Sequence, residues 1–190
     1  MQITLAGAVY GAVMGSFQLD SAERGLLVLF GAIKAPLLVF ATTLICLPGY
    51  FTLNTVLRLR PDFPAAAGAI IQGQAALTVA LASLAPITRF AYICGLDHRQ
   101  AILFNAAMFA LATAVAQVVL LRQFRPLIAR NPRHRLTLWA WVILYAFVGI
   151  QAGWMLRPFI GTPGKPVTFV REEPFSNAYV VIASLITGLF

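Results

Sequence analysis

The chain has 190 residues, 60% of them hydrophobic and only 11% charged, with a formal net charge of +8. Soluble domains carry roughly 25% charged residues, and a chain this short cannot hide so much apolar surface from water. Composition therefore excludes an ordinary soluble domain. It predicts an all-α, polytopic integral membrane protein of about five transmembrane helices, preceded by an apolar N-terminal segment.

Residues 1–19 carry no charged side chain, and no Lys or Arg precedes the apolar run as a signal peptide requires. Gly7, Gly11 and Gly15 recur every four residues. On a helix this spacing puts them on one face and leaves a groove. Another backbone can approach such a groove closely, which is how helices associate where lipid removes the hydrophobic drive. The groove serves packing inside one bundle or, because the segment stands apart in sequence, contact with another subunit.

Asp20 and Glu23 resemble a capping box for a short helix, SAERGLLVLFGAIK, ending before Pro36. That helix is expected to lie flat in the interface, with Arg24 and Lys34 in the headgroups. Residues 1–34 thus form one N-terminal unit and 35–190 a transmembrane bundle. The alternative is a single span kinked at Pro36, which would hold Lys34 at membrane depth in need of a partner.

Four long uncharged runs follow, 35–57, 63–88, 100–121 and 136–156. A bilayer core needs roughly 20 helical residues, so spans are predicted near 35–57, 65–88, 100–121 and 136–157. Pro48 and Pro86 lie near span ends and read as helix terminations. Further small-residue lines are Ala65, Ala69 and Gly73; Ala106, Ala110 and Ala114; and Gly149 with Gly153. The amides Gln72, Gln74, Asn105, Gln117 and Gln151 are expected to bond across helices. None of the four spans holds Asp or Glu, which argues against an ion-coupled carrier. In the fourth span, Trp139, Trp141 and Tyr145 lie toward one end and Trp154 near the other, as headgroup anchors do.

The most concentrated charge is LRQFRPLIARNPRHR, with Arg122, Arg125, Arg130, Arg133 and Arg135 and no acid. It reads as a cytoplasmic loop that binds anionic lipid headgroups, each Arg contributing about 1 kcal/mol. Membrane lipid is the expected partner there, and nucleic acid is not. After the fourth span comes an extramembrane loop over 158–176. Its Arg171, Glu172 and Glu173 form a candidate partner-facing cluster, and TPGK within it fits a type II turn. Residues 177–190 read as a fifth span; at about 21 Å they fall short of a full crossing.

No catalytic constellation stands out. Two cysteines and two histidines do not make a zinc site, and no metal or cofactor is expected. The Asp97–His98–Arg99 triplet offers a carboxylate beside an imidazole, but adjacent residues point apart on a helix. The expected function is a non-catalytic membrane subunit that assembles through small-residue faces. The alternatives are a passive channel or small-solute permease, and a lipid-modifying enzyme acting through Asp97, His98 and nearby Arg residues.

Overall fold

A computed structural model describes residues 1–18, 22–161 and 167–169. The described residues form helices α1 (Gln2–Gly15), α2 (Ala22–Val56), α3 (Phe63–Ile93), α4 (His98–Arg130) and α5 (His134–Met155), with one 3-10 turn at Arg60–Asp62. Helices α2 to α5 are long and apolar enough to cross a membrane. The protein is an all-α membrane protein with several membrane-crossing helices.

The four expected spans correspond to α2 through α5, but the helices run further than the uncharged runs. The largest correction is α2, a single helix of 35 residues that continues through both Pro36 and Pro48. No separate interfacial helix ends before Pro36, and the 34/35 boundary falls inside α2. Proline costs a backbone hydrogen bond, yet neighbouring helices let membrane helices tolerate it. Pro36 is buried where α1 crosses it: a Cβ built on Gly7 would lie 3.3 Å from the Pro36 nitrogen. Pro86 is likewise inside α3 and Pro126 inside α4, so neither Pro48 nor Pro86 terminates its helix. The capping residues Asp20 and Glu23 and the fifth span at 177–190 lie outside the described residues and side chains.

Helix α1 runs antiparallel to the first half of α2. Gly7 meets Pro36, Gly11 meets Gly31, and Gly15 meets Leu27 and Val28. Side chains at Gly11, Gly15 or Gly31 would overlap the opposing carbonyl groups. The contact is therefore backbone against backbone, the closest approach two helices can make. At 14 residues α1 covers about 21 Å, less than a bilayer core.

Round the bundle, α5 packs on α2, α2 on α1, α1 on α3 and α3 on α4, while α4 and α5 make little direct contact. Two buried clusters result. One joins Tyr10, Met14 and Phe17 of the N-terminal segment to Leu81 and Tyr92 of α3 and Ala101 and Ala112 of α4. The other joins Cys46 and Tyr50 of α2 to Ile70, Phe124, Leu138 and Trp141 at the opposite end.

Candidate functional site

Residues of both clusters, among them Leu77 and Ala116 of the first and Ile70 and Trp141 of the second, line the side where α4 and α5 make little contact. A cleft of about 540 Å³ lies there, lined from α2, α3, α4 and α5. Its walls are aliphatic and aromatic, and no charged side chain contributes to them. Trp139, Ala146 and Ile150 of α5 and Thr113 and Leu121 of α4 line it and are exposed, so the cleft reaches the outer surface between these helices.

Polar groups converge inside it from four helices: Thr42, Gln74, Thr113, Gln117 and Tyr145. Each lies several turns from its helix ends, where α2 to α5 cross the membrane. The Tyr145 hydroxyl donates to Gln74 Oε1 at 2.9 Å, which leaves the Gln74 NH₂ group to offer donors. Thr42 is 1% exposed, and its Oγ1 is buried without a hydrogen-bond partner. A buried, unmade hydrogen bond is costly. Gly149 lines the cleft and Gly153 lies one turn beyond; Cβ atoms there would make ordinary contacts, with Thr42 Cγ2 at 3.6 Å and Leu38 Cδ2 at 3.9 Å.

The other expected amides are engaged. Asn105 joins three helices: it accepts from the Tyr10 hydroxyl at 2.9 Å, donates to the Tyr92 hydroxyl at 2.5 Å and to the Ala101 carbonyl at 2.7 Å. Gln123 donates to Gln72 at 2.6 Å on the surface.

Lys34, expected in the headgroups, is instead fully buried. Its ammonium donates to the Pro158 carbonyl at 2.7 Å. The rings of Phe30, Phe159 and Phe169 surround it at 5.8, 5.9 and 5.1 Å from their centroids. A cation at membrane depth needs such a cage. The described part of the loop after α5 therefore folds back onto α2 instead of standing clear of the bundle, and Ile160 and Gly161 are buried there.

The arginine-rich segment is mostly helix: Arg122, Arg125 and Arg130 extend α4, and only Arg133 lies in the turn before α5. All five arginines, Arg135 included, are exposed. Beside them His134 Nε2 lies 3.1 Å from Asp62, a contact between the starts of α5 and α3. Sequence reasoning missed this pair, because 72 residues separate its members. Asp97 caps α4, accepting from the Gln100 amide at 2.7 Å while Gln100 reaches back to it. Its carboxylate is thus engaged in a capping box and not paired with His98. Trp141 is buried against Tyr50, so it fills the core and does not anchor at the headgroups; Trp139 is exposed. The candidate cluster Arg171, Glu172 and Glu173 lies outside the described residues.

Among the described residues no group of His, Cys, Asp and Glu is placed to hold a metal ion. Compared with family models, curated proteins and solved structures, the chain matches none of them.

Proposed function

We propose that this chain is a non-catalytic integral membrane subunit, and that it builds a larger assembly by pairing α4 with a second copy of itself. The observation that carries this reading is a contrast between small-residue faces. Gly7, Gly11 and Gly15 are covered by α2, Gly73 lies against Leu120 of α4, and Gly149 and Gly153 lie against α2. Ala106, Ala110 and Ala114 on α4 share the spacing but are exposed. They border long exposed side chains, among them Leu103, Leu111 and Val118.

Two copies in one bilayer have the same orientation, so their α4 helices run parallel. A ridge of alanines is then self-complementary about a two-fold axis along the membrane normal. The arginines at the end of α4 and start of α5 face the cytoplasm in this reading and hold anionic headgroups.

Cysteine cross-linking tests it. In a Cys94→Ser background, Ala110→Cys is expected to form a disulfide-linked dimer in native membranes, since a close helix pair brings Cα atoms to about 6 Å. Val79→Cys, exposed on α3, is expected to remain monomeric. Equal yields at both positions, or none at Ala110→Cys, would overturn the reading.

A further inference from the structure

We infer that the cleft between α4 and α5 is a binding site for an uncharged lipid that carries a carbonyl group. Its size falls within the roughly 300–1,000 Å³ of small-molecule sites. The absence of charged lining residues selects against a phosphate or ammonium head, which would be buried without a counter-charge. An occupant must still match the polar groups gathered at mid-depth.

Two of those groups have a donor to offer. Gln74 has its oxygen taken by Tyr145 and offers its NH₂ group, and the buried Thr42 hydroxyl has no partner of its own. A carbonyl oxygen offers an acceptor to the Gln74 NH₂ group and, once its side chain turns toward the cleft, to the Thr42 hydroxyl, whereas a plain hydrocarbon offers an acceptor to neither. The exposed lining on both helices gives such a molecule a route in from the bilayer, with its apolar tail left in the opening beside Ala146 and Ile150. Two kinds of membrane molecule share this chemistry, the ring of an isoprenoid quinone and the ester of an acylglycerol.

Trp141 reports on the site, because it lines the cleft yet is only 2% exposed. The experiment uses the full chain in phosphatidylcholine nanodiscs, with Trp139→Phe and Trp154→Phe leaving Trp141 as sole tryptophan. Decylubiquinone is expected to quench Trp141 saturably. The chain keeping only Trp139 carries the exposed reporter on the lining; the chain keeping only Trp154, which does not line the cleft, is the control and is expected to show no saturation.

Thr42→Val with Gln74→Leu is expected to weaken the saturable phase about tenfold, while Gln72→Leu, outside the cleft, leaves it unchanged. Should the double variant fail to fold, Thr113→Phe, which fills the opening from an exposed position, is expected to abolish saturation by itself. Displacement by dioctanoylglycerol assigns the site to ester carbonyls as well, and failure to displace restricts it to quinones. Quenching of Trp141 that never saturates, or that saturates identically in the Thr42→Val, Gln74→Leu and Thr113→Phe proteins, would overturn the inference.

Discussion

At the scale of single residues, Gly11 and Gly31 face each other across the tightest reciprocal contact between α1 and α2. Each would drive a Cβ into the carbonyl of the other, and the obstruction is backbone, which cannot swing aside. Gly11→Ala is expected to destabilise the detergent-solubilised protein by about 1–3 kcal/mol, the range of overpacking in a tight core. Gly25, where an added Cβ meets nothing within 4 Å, is the control. Gly25→Ala is expected to be neutral or stabilising by up to about 1 kcal/mol through helix propensity alone. Thermal unfolding of the two variants in one detergent distinguishes them, and equal shifts would contradict the packing. Asn105 carries a comparable burden through hydrogen bonds. Asn105→Leu strands two buried tyrosine hydroxyls, and its expected cost is about 1–3 kcal/mol in the same measurement.

At the scale of elements, α2 is where sequence and structure part. The positions of four spans were legible because charges punctuate the chain at intervals a bilayer sets. The small-residue lines were legible as grooves, but not what fills them. The continuity of α2 through Pro36 was legible only as the alternative to an interfacial helix, and the structure takes that alternative. A proline ends helices readily in water; here α1 lies across it, and that contact is tertiary. With α2 continuous, Lys34 is carried into the bundle and takes the Pro158 carbonyl. The cleft was hidden for a related reason: Gln74 and Gln117 were visible as amides in apolar spans, but their convergence with Thr42 depends on how four helices are rotated. Lys34→Met is expected to keep the helices intact while releasing the chain after α5. Loss of one charge-assisted hydrogen bond and its ring contacts should speed limited proteolysis near Phe159 about tenfold. Unchanged cleavage there would show that the loop is held by other contacts.

At the scale of the whole molecule, the main packing runs in the order α5–α2–α1–α3–α4, and the end members α4 and α5 touch each other only a little. Short α1 binds α2 to α3 through glycine packing on one side and the Asn105 network on the other. The side between α4 and α5 presents the cleft and, on α4, the bare alanines. Pairing through α4 and uptake of a neutral lipid are therefore separate uses of neighbouring surfaces, and each can fail without the other. Both depend on α2 to α5 crossing a bilayer with alternating direction.

That dependence can be measured directly by side-specific labelling. The exposed native Cys94 lies between α3 and α4, and an Asn131→Cys substitution would place a thiol between α4 and α5. In sealed vesicles of known orientation, a membrane-impermeant maleimide is expected to reach Cys94 from one side only and the thiol at position 131 from the other side only. Labelling of both from the same side would mean that α4 does not cross the membrane, which contradicts a bundle of membrane-crossing helices.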